Sequence, residues 1–274
     1  MTRGRGLLPR QEIPKYLASF PSMFSRIIFS GYRVDVLLSK TAMVCGVGGL
    51  GTVVAEILAR TGIGKIILVD KDVVGEENFN RLGFTSKDVG KPKAGVVGRR
   101  LLLIRNAPNV PEKFRLEVEA YQADVLEMPG LWKLIAKSDL VFTCFDNLEA
   151  RLEVNKYAVK LMKPLFDGGT SVNGLRGTVR TVIPGKTPCL RCYNPPDTFI
   201  SLGEPMRGPG RCDASLATTM TIVACLQVDQ AFKHILGYGR LAPLIRVSLE
   251  DGVSVVPYYD VARRPGCEDC ESLK

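Results

Sequence analysis

Apolar residues near the start of the chain change from a strand pattern to a helical pattern and back. A short apolar run, Ala42 to Cys45, leads directly into a turn that is rich in glycine. The next apolar residues recur at helical spacing up to a Thr61-Gly62 stop, and a second apolar run, Ile66 to Val69, ends at Asp70. This order predicts a strand, a tight turn, a helix, and a second strand that ends in an acidic residue.

The same alternation continues beyond residue 90. The pattern predicts a basic helix over about 91 to 106, a strand near Phe114 to Val118, a helix near Leu131, a buried strand at Leu140 to Cys144, and a helix from Leu148. Strands that alternate with helices favour a mostly parallel sheet with helices on both faces. We therefore expect an α/β fold with a doubly wound, mostly parallel sheet.

Strands and turns replace this alternation after Lys163. A stretch rich in proline and glycine, at about residues 194–211, is predicted to be a crossover loop. A long helix is predicted from about Asp213 to Leu236, and an Asp251-Gly252 turn predicts a hairpin after it. The C-terminal part is therefore expected to be a separate β part.

Length and composition limit the class of protein. The chain has 274 residues, of which 46% are hydrophobic and 24% charged, as in ordinary globular proteins. We predict an N-terminal arm over residues 1–40, with a short apolar helix around Phe24 to Leu37, and one domain over residues 41–274. The longest uncharged runs are shorter than the roughly 20 residues of a membrane span, and no apolar segment follows the basic N-terminus. We expect a cytoplasmic protein with no membrane partner.

The single histidine excludes several kinds of site. An H-E-x-x-H zinc site or a multi-histidine metal cluster cannot be built from it, and a Ser-His-Asp triad is disfavoured. The formal net charge is +9, with basic residues concentrated in residues 1–40 and 81–116. Such clusters suit nucleic acid or a polyphosphate. Aromatic content is only 7% and forms no stripe among the basic residues, so we expect no nucleic-acid partner.

Four of the eight cysteines form two C-x-x-C pairs, Cys189 with Cys192 and Cys267 with Cys270. Four thiolates can surround one zinc ion in the tetrahedral arrangement that structural zinc sites prefer. A redox-active C-x-x-C is the alternative, but two such pairs would be an unusual redox design. We predict that the four cysteines bind one structural Zn²⁺ that staples the C-terminal β part.

The glycine-rich turn suits the binding of a phosphate. Gly46, Gly48, Gly49 and Gly51 follow the first strand, and Asp70 comes 24 residues after the first glycine. Glycines let the backbone approach phosphate at the positive end of a helix, and the acid can accept hydrogen bonds from ribose hydroxyls. No Gly-Lys-Ser or Gly-Lys-Thr follows, so this is not a Walker loop.

Three further features favour ATP over NAD. Asn78 and Arg81 lie just beyond Asp70, Lys93 lies on the basic helix, and Asp146-Asn147 follows the fourth strand. The two cations can neutralise a triphosphate, and Asp146 can hold Mg²⁺. A dehydrogenase needs none of these residues.

Together these motifs resemble those of the ubiquitin-activating-enzyme superfamily, whose bacterial members are MoeB and ThiF. The segments Arg211 to Met220, Asp146 to Arg151 and Ile183 to Gly185 are most similar to the branch that activates ubiquitin-fold modifier 1. The resemblance implies a Rossmann-like adenylation domain that uses MgATP to adenylate the C-terminal glycine of a ubiquitin-like protein. It implies that Asp70 binds ribose, that Arg81 and Lys93 bind phosphates, and that Asp146 binds the metal or the adenylate.

The resemblance also implies a nucleophile and an arginine from a second subunit. Cys212 lies beside Arg211 at the predicted start of the long helix, where the helix dipole and the guanidinium favour a thiolate. It is predicted to form a thioester that passes to a conjugating enzyme. Cys45, Cys144 and Cys225 are predicted to be core residues. Arg26 matches the position from which relatives send an arginine into the partner's ATP site, which implies a homodimer.

Two other functions stay open at this point. A MoeB/ThiF-type adenylyltransferase for a sulfur-carrier protein, in thiamine, molybdopterin or tRNA thiolation, has the same motifs but does not need Cys212 to hold a thioester. A zinc-stapled NAD-binding dehydrogenase or a nucleotide-sensing module shares only the glycine-rich turn and the cysteines.

Overall fold

The computed structural model describes residues 6–194 and 216–273 of the chain. In these ranges eight strands form a single sheet in the order β3-β2-β1-β4-β5-β6-β7-β8. Numbered β1 to β8 along the chain, the strands are Thr41–Cys45, Lys65–Val69, Glu117–Tyr121, Leu140–Thr143, Leu165–Thr170, Arg176–Val182, Leu244–Ser248 and Ser254–Tyr258.

Most helices pack on the two faces of the sheet. Numbered α1 to α9 along the described residues, they are Ile13–Leu17, Ser25–Phe29, Val34–Leu38, Gly49–Thr61, Lys93–Arg105, Leu131–Lys137, Leu148–Lys160, Leu190–Tyr193 and Ala217–Leu236. Among them, none combines the length and the apolar character that crossing a bilayer requires.

The sheet is parallel at one end and antiparallel at the other. Strands β3, β2, β1, β4 and β5 run parallel to one another, whereas the pairs β5–β6, β6–β7 and β7–β8 are antiparallel. The order of the strands reverses between β1 and β4, which lie side by side. In open α/β sheets a ligand binds at such a switch point, outside the carboxyl ends of the strands. The predicted α/β fold with a doubly wound, mostly parallel sheet is confirmed.

The sheet has a separate hydrophobic core on each face. Ala42 and Val44 of β1 point into the core beneath α4, α5 and α9, whereas Met43 and Cys45 point into the core beneath α6 and α7. Successive side chains of a strand alternate in this way, and both faces of a parallel strand are covered. The near-continuous apolar run at residues 42–45 is therefore a consequence of burial on both sides.

The segment before β1 differs from its prediction. The single helix expected around Phe24 to Leu37 is wrong: α2 and α3 are two short helices, and Gly31 between them has φ +83°. A left-handed residue cannot continue a right-handed helix, so the chain turns there. Phe24 and Ile28 are fully buried in a small core that includes Phe114. The boundary at residue 40 stays a prediction.

The strand predicted near Phe114 to Val118 begins later than expected. Pro111 opens a short 3₁₀ helix, Glu112–Phe114, and β3 starts only at Glu117. Proline fixes φ near −65° and so favours a helical turn in the residues that follow it. The aromatic residue of the predicted strand therefore packs in the N-terminal core instead of in the sheet.

Candidate active site and cysteine cluster

A cavity of about 470 Å³ lies at the switch point, at the carboxyl ends of β1, β2, β4 and β5. Its size is ordinary for a small-molecule site. The predicted binding residues that line it are Gly46, Gly48, Gly49, Asp70, Asn78, Arg81, Lys93, Asp146 and Asn147. Gly51 lies beneath this surface. The fold thus brings together residues from positions 46 to 147 of the chain.

The glycine-rich turn has no room for side chains. Gly46 has φ +83°, and a Cβ at Gly51 would lie 1.8 Å from the carbonyl oxygen of Gly46. Helix α4 begins at Gly49, and its N-cap, Gly48, offers no side chain to the first amides. Unsatisfied N–H groups and the positive end of the helix therefore face the cavity, an arrangement that favours phosphate.

Asp70, at the end of β2, holds two backbone segments in place. Its Oδ2 accepts a hydrogen bond from the Val47 amide at 2.5 Å, and its Oδ1 accepts one from the Asp72 amide at 2.8 Å. Burial raises the pKa of Asp70, although the two amides and Lys93 act in the opposite direction. The carboxylate thus orders the glycine-rich turn, and it keeps acceptor capacity for ribose hydroxyls.

The two predicted phosphate-binding cations differ in their surroundings. The Lys93 ammonium lies 2.9 Å from the Asp72 carboxylate, with only 8% of its side chain exposed. The Nε of Arg81 is buried and finds no acceptor among the described residues. Asn78 orders the short helix before Arg81, because its side-chain oxygen accepts a hydrogen bond from the Gly75 amide at 3.0 Å. Arg81 therefore carries donor capacity that a phosphate oxygen can satisfy.

Asp146 and Asn147 follow β4 and do different work. Asn147 is the N-cap of α7, and its Oδ1 accepts a hydrogen bond from the Ala150 amide at 2.8 Å. Asp146 has an exposed carboxylate on the cavity wall. Within residues 6–194 and 216–273 no cation lies at ion-pair distance from it. An unpaired carboxylate facing a phosphate site suits a divalent cation.

The four paired cysteines converge on the face of the sheet opposite α4. Their sulfur atoms all lie within 4.8 Å of one another. The Sγ–Sγ distances are 3.8 Å for Cys189–Cys192, 3.6 Å for Cys189–Cys267 and 3.5 Å for Cys192–Cys270. A tetrahedron with Zn–S bonds of about 2.3 Å has sulfur atoms about 3.8 Å apart. The cluster therefore fits one zinc ion.

A buried asparagine supports this cluster. Asn155 of α7 accepts a hydrogen bond from the Leu190 amide at 2.9 Å and donates one to Asp269 at 2.6 Å. Leu190 and Asp269 each belong to one C-x-x-C turn, so one side chain fixes both turns to the same helix. Partners of this kind orient metal ligands in known sites.

The sequence model of the ThiF family matches residues 24–262. This chain belongs to the ThiF family. Proteins named Ubiquitin-like modifier-activating enzyme 5 are similar to it. The one from Caenorhabditis elegans is 33% identical over 247 residues, covering 86% of this chain and 56% of that protein. The one from Bombyx mori is 34% identical over 247 residues, covering 86% of this chain and 60% of that protein. The chain thus spans less than two thirds of either relative.

Solved structures lead to the same fold. A crystal structure of E. coli MccB with ATP has a TM-score of 0.72 and 26% identity, covering 92% of this chain and 75% of that one. Membership of the ThiF family confirms the resemblance found in the motifs. The dehydrogenase hypothesis rested only on the glycine-rich turn and the cysteines. Membership of the ThiF family accounts for both features, so that hypothesis loses its support.

The unpaired cysteines of this ThiF-family chain lie in different environments. Cys45 is fully buried, as predicted. Cys144 lines the cavity, and burial raises its pKa to about 12. The prediction that Cys225 is a core residue is wrong: α9 buries Val223 and Ala224 and leaves Cys225 exposed. Cys212 and residues 195–211 of the predicted crossover loop lie outside the described residues.

Arg26 does not belong to the cavity of its own chain. It is exposed on α2, and it is absent from the residues that line the cavity. If Arg26 contacts a nucleotide, that nucleotide is therefore bound by a second subunit.

The sequence motifs did not predict a charged network that lies beside the cavity. Asp167, in the middle of β5 and opposite the last residue of β4, is fully buried between Arg151 and Arg180. Arg151 also lines the cavity. Its position in the Asp146-Asn147-x-Glu149-Ala150-Arg151 segment was the only available signal, because no local spacing connects residues 151, 167 and 180.

Proposed function

We propose that this chain is an activating enzyme for a ubiquitin-like protein, and that it uses ATP to adenylate the C-terminal glycine of that protein. One observation carries the proposal. The switch-point cavity of this ThiF-family chain joins an uncapped helix N-terminus, the buried acid Asp70, two cations, and the carboxylate of Asp146, which has no ion-pair partner among the described residues. The similarity to proteins named Ubiquitin-like modifier-activating enzyme 5 supports this choice of substrate.

The first step needs no general base. A C-terminal carboxylate is ionised at neutral pH. One of its oxygens attacks the α-phosphorus of ATP, the bond from that phosphorus to the bridging oxygen breaks, and pyrophosphate leaves. The products are an acyl adenylate and pyrophosphate. The barrier comes from an anion meeting an anion, so positioned cations lower it.

The cavity residues are assigned to this step by their positions. The Gly48 and Gly49 amides and Arg81 would bind phosphate oxygens, Lys93 would add charge beside Asp72, and Asp70 would bind the ribose. Asp146 would hold the Mg²⁺ that accompanies ATP, and that ion supplies further charge neutralisation on the phosphates. Asn78 and Asn147 would order the backbone around Arg81 and Asp146.

The second step is assigned to Cys212. Its thiolate would attack the acyl carbon of the adenylate, form a thioester and release AMP, with the thiol proton passing to solvent. The modifier would then move to the cysteine of a conjugating enzyme by thioester exchange. Met220 of α9 lines the cavity, and Leu216 is only four residues from Cys212. Cys144 is less suitable, because its raised pKa keeps it a thiol at neutral pH.

The same proposal covers the metal, the assembly and the compartment. Cys189, Cys192, Cys267 and Cys270 would hold one structural Zn²⁺ that has no part in the chemistry. Two chains would form a homodimer in which Arg26 of each reaches the ATP site of the other. A free nucleophilic thiol and thiolate ligands suit a reducing compartment, which favours the cytoplasm.

A sulfur-carrier adenylyltransferase is the second candidate. The likeness to MccB with ATP and the match to the ThiF family support adenylation without requiring a thioester. Incubation with ATP and ubiquitin-fold modifier 1, followed by non-reducing electrophoresis, separates the two. We expect an adduct that reducing agent removes and that Cys212→Ala abolishes, while pyrophosphate exchange persists. Exchange without any adduct would favour the sulfur-carrier function.

Mixing experiments test the exchanged arginine. Homodimers of Arg26→Ala and of Asp146→Ala should each be nearly inactive in pyrophosphate exchange. Heterodimers formed from the two variants should regain activity, because one of their two sites receives both intact residues. An inactive mixture in which subunit exchange has been verified would contradict the assignment.

A further inference from the structure

The network around Asp167 has no role in the steps above, although it lies directly beside Asp146. The Asp167 carboxylate is fully buried. It accepts hydrogen bonds from Arg151, from Arg180 at 3.0 Å and from the Thr143 hydroxyl at 2.8 Å. Burying a carboxylate is costly unless it is well paired, so such a network needs a reason.

Arg151 joins the segment after β4 to the middle of β5. Its guanidinium donates to the Phe145 carbonyl, just after β4, and to the Gly168 carbonyl of β5 at 2.9 Å. It also pairs with the Asp167 carboxylate, and only 12% of its side chain is exposed. A planar guanidinium presents its donors in a fixed fork, so one side chain can hold two segments in a fixed relation.

The segment that Arg151 holds is the one that carries Asp146. On one side of Asp146, the Phe145 carbonyl is bonded to Arg151. On the other side, the Asn147 side chain caps α7. Both neighbours are therefore fixed, while the Asp146 carboxylate itself is exposed on the cavity wall.

The charge of Asp167 explains why Arg151 does not pair with Asp146 instead. Arg151 and Asp146 both line the cavity, and an ion pair between them would neutralise the carboxylate. Asp167 takes up the charge of Arg151 from the buried side, and Arg180 completes the network. Asp146 thus stays available to a cation in the cavity.

We propose that Arg151, held by Asp167, is a positioning residue that sets the Phe145–Asp146 segment so that Asp146 binds the divalent cation of a metal–nucleotide complex. This inference rests on the proposed function, since it gives Arg151 a role next to the proposed metal ligand of the same cavity. It predicts that losing Arg151 and losing Asp146 remove the same interaction.

Calorimetric titration of the full chain with ATP tests this, once with Mg²⁺ and once with EDTA. The proteins are wild type, Asp146→Ala, Arg151→Ala, the double variant and Arg151→Lys. Arg176→Ala is the matched control, because Arg176 is an exposed arginine on β6 that pairs with Glu250. Thermal unfolding of each variant shows whether it is folded.

We expect Asp146→Ala and Arg151→Ala each to weaken binding of ATP with Mg²⁺ at least tenfold, and the double variant to bind no more weakly than Asp146→Ala. With EDTA, all variants should bind ATP as the wild type does. Arg151→Lys should resemble Arg151→Ala, because a lysine keeps the charge but not the fork, and it tests the same point if Arg151→Ala fails to fold. Arg176→Ala should change nothing.

Two results would overturn the positioning role alone. The first is a double variant whose loss of affinity for ATP with Mg²⁺ is the product of the two single losses. The second is an Arg151→Ala variant that loses as much affinity for ATP in EDTA as it does with Mg²⁺. A wild type that does not bind ATP with Mg²⁺ would instead contradict the proposed function itself, and the metal role of Asp146 with it.

Discussion

The cysteine cluster and the nucleotide cavity lie on the same sheet but are built in opposite ways. The cluster comes from two C-x-x-C turns, whose four sulfur atoms lie within 4.8 Å of one another. The cavity comes from the ends of neighbouring strands, and several of its polar residues also hold backbone in place. Asp70 orders the glycine-rich turn, and Asn147 caps a helix. We therefore expect changes in the cluster to affect mainly stability, and changes in the cavity to affect mainly nucleotide binding.

The largest expected effect separates the two regions directly. Cys267→Ser should release the zinc and lower the free energy of unfolding by about 3–5 kcal/mol or more, because structural zinc contributes folding energy outright. Metal analysis and chemical denaturation measure both quantities. The control is Cys225→Ser, since that thiol is exposed and outside the cluster. A zinc-free variant of unchanged stability would contradict the structural role.

Asp146→Ala should have the reverse profile. The carboxylate is exposed, and no described residue lies at ion-pair distance from it, so we expect the unfolding temperature to stay within about 2 °C of wild type. Carrier-dependent pyrophosphate exchange should fall about 10²- to 10³-fold, as when one electrostatic contact of a transition state is removed. A large loss of stability with normal exchange would reverse the distinction between the regions.

Asp70→Ala should reduce both stability and nucleotide binding, because this residue orders backbone and lines the cavity. Two backbone amides lose their acceptor, which costs about 1–3 kcal/mol of stability. Nucleotide binding should weaken as well, through both the lost ribose contact and the loosened turn. Denaturation combined with ATP titration checks both effects. A variant that keeps wild-type stability would show that the amides find other acceptors.

The smallest effect concerns pH. Burial alone would raise the pKa of Asp167, but Arg151, Arg180 and Thr143 hold it below its ordinary value. Its contribution to stability is therefore present above its unfolded pKa of about 3.9 and is lost as the pH falls through the lower folded pKa. Asp70 acts oppositely, because burial raises its pKa and protonation relieves the cost of a buried charge.

Chemical denaturation between pH 7 and pH 2 can follow this difference. Asp167→Asn should be less stable than wild type at pH 7, and the gap should narrow as the pH falls below about 4, by about 1.4 kcal/mol for each unit by which the pKa is lowered. Asp70→Asn should show no such narrowing. A gap for Asp167→Asn that is constant with pH would show that its carboxylate is not held in the charged form.

The sequence predicted what local pattern determines. The alternation of strands and helices led to the sheet, and the glycines, Asp70, Arg81, Lys93 and Asp146 do line or support one cavity. Arg151, Asp167 and Arg180 were missed because tertiary pairing alone brings them together. Cys225 was predicted to be buried because α9 carries apolar residues on more than its buried face. The helix predicted at Phe24 to Leu37 was wrong because one glycine divides it.

We propose that this chain adenylates the C-terminal glycine of a ubiquitin-like protein. Isotope exchange between pyrophosphate and ATP measures this activity directly, with ubiquitin-fold modifier 1 that ends in its exposed glycine, or with a sulfur-carrier protein. We expect isotope exchange that requires Mg²⁺ and one of these proteins. The exchange should disappear when the terminal glycine of that protein is removed. Exchange that proceeds equally without any carrier, or none with either carrier although ATP binds, would contradict it.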